Sequence, residues 1–98
     1  MKIKESEQFK QELRFIALHI KKDKRSASIK FVQNLKKAIK NIPSSPYQYR
    51  PSIYYENKNI RDMIYYGYTI IYEINIEDDV LEILTIFNQN LPDLPPKL

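Results

Sequence analysis

The sequence predicts an α+β fold: a short N-terminal edge strand and a two-helix hairpin packed on one face of a small antiparallel sheet, in the order β-α-α-β-β-β. Three observations predict it. Apolar residues recur at helical spacing through the first 42 positions, a Pro- and Ser-rich stretch interrupts them, and β-branched and aromatic residues then alternate up to residue 87. Two apolar helix stripes need an apolar cover, and a face of that sheet supplies it.

Residues 1–4 (MKIK) alternate and read as the edge strand. From Ser6, available as an N-cap, the period changes, and Phe9, Leu13, Ile16 and Ile20 fall on one helical stripe. The run Lys21-Lys22-Asp23-Lys24-Arg25 breaks that stripe. A second helix from about Ser26 sets Ile29, Val32, Leu35, Ile39 and Ile42 on one face. Pro43 ends it, because proline removes a backbone donor and drives its predecessor out of the helical region. The hairpin thus spans 6–42. Residues 43–59, opening with PSSPYQYRPS, form a linker rich in Pro, Ser and Tyr. The sheet is expected over 60–90, with strands at Ile60–Tyr66, Tyr68–Ile76 and Val80–Phe87. In the middle strand Tyr68, Ile70, Tyr72, Ile74 and Ile76 share one face, which leaves the opposite face of the sheet open. Residues 91–98 (LPDLPPKL) suit neither helix nor sheet and are expected to be extended.

Ninety-eight residues support one domain, 1–98, with a single core. A composition 43 % hydrophobic and 29 % charged belongs to globular chains rather than disordered ones. The chain has no cysteine, which removes disulfide and thiolate chemistry. No apolar run approaches the roughly 18 residues of a membrane span, so a cytoplasmic protein without a membrane partner is expected. The net charge of +4 conceals a division. Residues 1–50 carry 13 Lys/Arg against 4 Asp/Glu, a balance of +9, and residues 51–98 carry 3 against 8, a balance of −5. The basic half suits an acidic protein, a phosphate backbone, or merely a solvated helix face.

The stretch YRPSIYYENKNIRDMIYYGYTIIYEI, followed by LEILTIFNQN, resembles the RelE/ParE superfamily of toxins from bacterial type II toxin–antitoxin modules. The resemblance covers most of the chain and is most specific at the glycine–tyrosine turn and the terminal strand. It implies a cytoplasmic toxin of a plasmid-stabilisation type, which inhibits growth and is neutralised by a cognate antitoxin. Operator DNA would be met only through that antitoxin. It also implies one of two targets, mRNA on the ribosome or DNA gyrase.

The residues favour the second, ParE-like branch. Cleaving RNA requires a base, cations for the developing charge and a proton donor. Where the nuclease branch places an arginine after the glycine–tyrosine pair, this chain has Thr69. Where that branch ends its last strand on a basic residue and carries a late tyrosine or histidine, this chain has Asn88-Gln89-Asn90 and then LPDLPPKL. The expected action is therefore protein binding, with gyrase as target. The alternatives are a ribosome-dependent mRNA endonuclease using Arg50, Arg61 and lysines, or an inactive relic that binds antitoxin only.

The remaining candidates each have a bland reading beside the functional one. Arg50 and Arg61 are the catalytic candidates, but Arg61 could equally pair with Glu73, and Arg50 could hold the linker to the sheet. The partner-binding candidates are Arg61, Tyr65, Tyr54, Tyr55, Asn88 and Asn90. Tyr65 is expected on the open face, opposite Tyr68 and Tyr72. All eight tyrosines lie between Tyr47 and Tyr72, and the only cations from Pro51 to Ile76 are Lys58 and Arg61. Protein binding therefore suits this stretch better than base stacking, which usually has cations between the rings. His19, the single histidine, reads as a surface or boundary helix residue. The acidic turn Glu77-Asp78-Asp79 reads as solvated rather than metal-binding, and no cofactor is expected.

Overall fold

The computed structural model describes residues 1–88, so Asn90 and the 91–98 tail lie outside the described residues. Strand β1 (Lys2–Glu5) leads into α1 (Glu7–Asp23) and α2 (Arg25–Asn41), then a 3-10 turn (Ile42–Ser44), β2 (Arg50–Pro51), β3 (Ile60–Tyr65), β4 (Tyr68–Asn75) and β5 (Val80–Asn88). The five strands lie in the order β1-β5-β4-β3-β2. Lys2 pairs with Val80 and Glu5 with Ile83 in parallel, while the other pairings are antiparallel. The sheet is therefore mixed rather than wholly antiparallel. Its first strand borders its last because the helical hairpin carries the chain across the sheet between them.

Ser6 starts α1 as the sequence predicts: its hydroxyl accepts from Phe9 N at 3.0 Å. The same hydroxyl donates to Leu84 O at 2.7 Å, which ties the helix start to β5. The break between the helices falls within the basic run 21–25 but is a single residue, Lys24, with φ −157° and ψ 115°. Along α2 the buried seam begins at Ser28, whose hydroxyl donates to Ala17 O at 2.6 Å, and Ile29 is 51 % exposed instead of inward. The reason is spacing. Ser28, Leu35, Ile39 and Ile42 are buried at i, i+7, i+11 and i+14, and a small residue at the first position lets the two backbones approach.

The main core lies between hairpin and sheet, where Phe9, Leu13, Leu35 and Ile39 meet Ile70, Tyr72, Ile74, Leu81, Ile83 and Ile86. Each such fully buried aliphatic or phenyl side chain contributes about 1.5–3 kcal/mol. A bulge interrupts β4–β5, where Ile71 faces Thr85 and Tyr72 faces Ile83, so that Leu84 is the additional residue. Beyond Ile83, β1 has ended and the edge of β5 is open. Glu12 closes it, accepting from Ile86 N at 3.1 Å and from Thr85 Oγ1 at 2.7 Å.

The far face of the sheet is not open. Ile60, Ile71 and Leu84 form a second buried cluster there, covered by Tyr55 and flanked by Phe87. The cover comes from the segment read as a linker. Its residues begin on the helix side, pass round the sheet edge as β2 and cross the far face, so it is a strap rather than a tether. Ile76, expected to be inward, is 65 % exposed, because β4 ends at Asn75.

Candidate functional site

Two neighbouring residues of β3 point to opposite faces, and each fastens one half of the strap. On the helix side, Arg61 donates from Nη1 to Tyr49 O at 3.0 Å and to Tyr47 O at 3.4 Å, and from Nε to Lys58 O at 2.8 Å. Its guanidinium also lies 4.8 Å from the centre of the Tyr47 ring. Tyr72 completes this half, donating its hydroxyl to Pro46 O at 2.5 Å, and burial raises its phenol far above the ordinary range. On the far side, the buried carboxylate of Asp62 accepts from Ile53 N at 3.1 Å and pairs with Arg50 at 3.3 Å. Arg50 thus holds the strap at the edge, and Arg61 is bound to backbone carbonyls. Glu73 lies opposite Ile60 and Glu82, not beside the guanidinium.

These contacts give both arginines a structural role. A guanidinium whose donors are directed at three carbonyls of its own chain is a structural clasp. It also sits on the helix side of the sheet, in register with Tyr72. Thr69, in the position where a nuclease arginine was sought, is fully buried, and its hydroxyl has no hydrogen-bond partner.

The tyrosines divide by face. Tyr65 stands directly opposite Tyr68, with Tyr66-Gly67 as the two-residue turn between them. Residues flanking such a turn share one face, so Tyr65 lies with Tyr68 and Tyr72 on the helix side and not opposite them. It meets Phe31 of α2 edge-on at 6.0 Å, and burial raises its phenol's pKa. Tyr54 and Tyr55 lie on the far face. Tyr54 packs edge-on against Phe87 at 5.5 Å, and Tyr55, its phenol raised by burial and then by the Asp62 carboxylate, covers the second cluster.

A groove of about 590 Å³ opens between the outer side of α1 and the ends of β4 and β5. Phe15, Ile16, His19, Tyr68, Ile86 and Asn88 line it, and Phe15 is 74 % exposed. Sequence reasoning missed this groove, although one signal was present: Phe15 and Leu18 are large apolar residues off the buried stripe of α1. His19 is an exposed helix residue on the groove wall. Among the described residues, no group of three or more His, Cys, Asp or Glu could hold a metal ion, and no helix is long and apolar enough to cross a membrane.

A family model described as the ParE toxin of the type II toxin–antitoxin system parDE matches residues 3–90. The chain belongs to the ParE toxin family. It is therefore the toxin component of a type II toxin–antitoxin module. Among solved structures, this ParE-family chain resembles a chromosomal ParDE toxin–antitoxin system from P. aeruginosa, with TM-score 0.72 and 19 % identity over 90 % of this chain and 95 % of that one. It also resembles a double arginine-to-alanine mutant of the E. coli toxin RelE, solved in complex with an antitoxin RelBc peptide. There the TM-score is 0.61 and the identity 16 %, over 87 % of this chain and 79 % of that one. Comparison with curated proteins gives no match. At these identities the structural likeness bears on the fold, which is the RelE/ParE α+β fold that the sequence predicts.

Proposed function

We propose that this ParE-family toxin acts in the cytoplasm by protein–protein contact, with DNA gyrase as its target. A cognate antitoxin neutralises it by covering the helical hairpin and the edge of the sheet. The observation that carries the first part is the engagement of Arg61. The best-placed cation of the sheet is directed through Nε and Nη1 at the carbonyls of Tyr47, Tyr49 and Lys58, which draws its charge toward its own backbone rather than toward a phosphorane. Arg50 is likewise paired with Asp62. The antitoxin reading is supported by both structural relatives, a toxin–antitoxin system and a toxin bound to an antitoxin peptide. An apolar groove ending on Asn88 offers such a partner a hydrophobic seat beside the Glu12-closed edge of β5. Operator DNA enters only through the antitoxin.

Purified toxin added to a gyrase supercoiling assay tests the target. Inhibition with trapped DNA breaks is the expected result. Rapid codon-biased cleavage of ribosome-bound mRNA would replace this reading with the endonuclease one, and absence of both effects would leave a relic that only binds antitoxin.

A further inference from the structure

The helical hairpin and the β3–β4 hairpin end side by side. Phe31 of α2 stands 6.0 Å from Tyr65 and 5.3 Å from Tyr68, across the mouth of the β-turn, and His19 of α1 shares a groove wall with Tyr68. The residues between His19 and Phe31 therefore cap this end of the molecule. They carry Lys21, Lys22, Lys24, Arg25 and Lys30 against Asp23 alone. Cations from the basic half and rings from the tyrosine-rich half, forty residues apart in the chain, thus lie at the same end of the molecule.

The turn itself holds the second observation. Tyr66 has φ +45° and Gly67 φ +85°, the positive pair that a type I′ hairpin requires. Asparagine and aspartate adopt that conformation far more readily than a bulky aromatic residue does, so Tyr66 is strained. Burial offsets little of this, because the residue is 85 % exposed and its ring meets Tyr65 edge-on at 4.8 Å. A ring held in solvent against backbone strain finds its use outside the chain.

We propose that this end of the molecule binds single-stranded DNA, with a base stacked on Tyr66 and the adjoining phosphates held by the cations of the α1–α2 junction, Lys21 to Arg25. Stacking accepts any base, since each has a π-face, and a flexible strand can bring phosphates to the cations while a base meets the ring. A duplex keeps its bases stacked internally and offers the ring nothing. From Phe31 back to Arg25 is about 9 Å of helix, short enough for one strand to touch both features. The inference is independent of the gyrase reading, because oligonucleotide binding is measured without gyrase and either can fail alone.

The test is fluorescence anisotropy of a labelled oligothymidylate about 12 nucleotides long, within the range of known single-strand sites, titrated with the full chain. Binding is expected to weaken with salt, and Lys24→Gln or Arg25→Gln should each reduce the log–log salt slope by about 0.7. Tyr66→Asn suits the turn better than tyrosine, so its melting temperature should hold or rise. The same variant should weaken binding about five-fold or more with the salt slope unchanged. No binding, equal binding by wild type and Tyr66→Asn, or a duplex bound as tightly as the single strand would each overturn the proposal. Preferential binding of an oligouridylate would overturn the assignment to DNA.

Discussion

The two faces of the sheet are stabilised by different means. The helix side is a continuous apolar cluster in which Phe9, Leu35, Ile70, Tyr72, Leu81 and Ile83 have no exposed surface. The far side has only Ile60, Ile71 and Leu84 at its centre, and a strap fixed by polar contacts around Asp62 completes it. Two buried polar atoms without hydrogen-bond partners, Asp62 Oδ1 and Thr69 Oγ1, belong to this side. The difference shows how a small chain divides its work. Non-directional burial holds the hairpin, while directional bonds place the segment that lacks enough apolar surface to place itself.

The largest effect that would test this division is Leu35→Asp. It puts an unpaired carboxylate at a position with no exposure, costing several kcal/mol against a total stability of about 5–15, so the variant should be unfolded by circular dichroism. A folded variant would mean that the helix side is not the dominant core. Next comes Arg61→Ala, which removes the bonds to three strap carbonyls and should cost about 2–4 kcal/mol, since hydrogen bonds to charged groups contribute about 1.5–3 each before relaxation. Proteolysis should then begin within 46–59 while the hairpin stays intact; uniform cleavage along the chain would erase the distinction between the regions.

Tyr72→Phe is smaller, a loss of about 1 kcal/mol for the bond to Pro46 O. It carries a pH signature as well. Burial holds the native phenol protonated above the ordinary tyrosine value of about 10, so the unfolded chain releases that proton first as pH rises. This contribution to stability is complete below about pH 10 and is lost as pH climbs above it. Chemical denaturation from pH 9 to 12, a window set around the tyrosine range, should show wild type falling more steeply than Tyr72→Phe. Parallel curves would place the alkaline loss elsewhere. Smallest is Thr69→Val, which replaces a buried hydroxyl lacking a partner with a methyl group and should be neutral or stabilising by about 1 kcal/mol. A loss of stability would show that the hydroxyl is satisfied in solution.

Much of this architecture was readable from residue order. The stripe through Phe9 and Leu13, the Ser6 cap and the alternation through β4 follow from local period and capping chemistry. The features that escaped have non-local causes. Nothing in MKIK states that its partner is residues 80–83 or that the pairing is parallel. Ile29 was misplaced because a seam with a serine at its end looks, by hydropathy, like a seam shifted by one residue. Tyr65 was assigned to the wrong face although the spacing across Tyr66-Gly67 contained the answer. The strap could not be seen because most of its fastenings join it to residues nine or more positions away, several of them through backbone carbonyls. The same separation in sequence hid the partners of Arg61 and Arg50. Composition counted along the chain also hid the meeting of cations and rings at the hairpin ends.

The junction of β1 with β5 has a kinetic consequence. Lys2 waits for Val80 and Ser6 for Leu84, 78 residues away in sequence, so the outermost rung of the sheet closes only after nearly everything between has been made. Until then the helices can form but have no finished floor. A nascent or truncated toxin should therefore be harmless and sticky, acquiring its poisonous shape in a late, cooperative step.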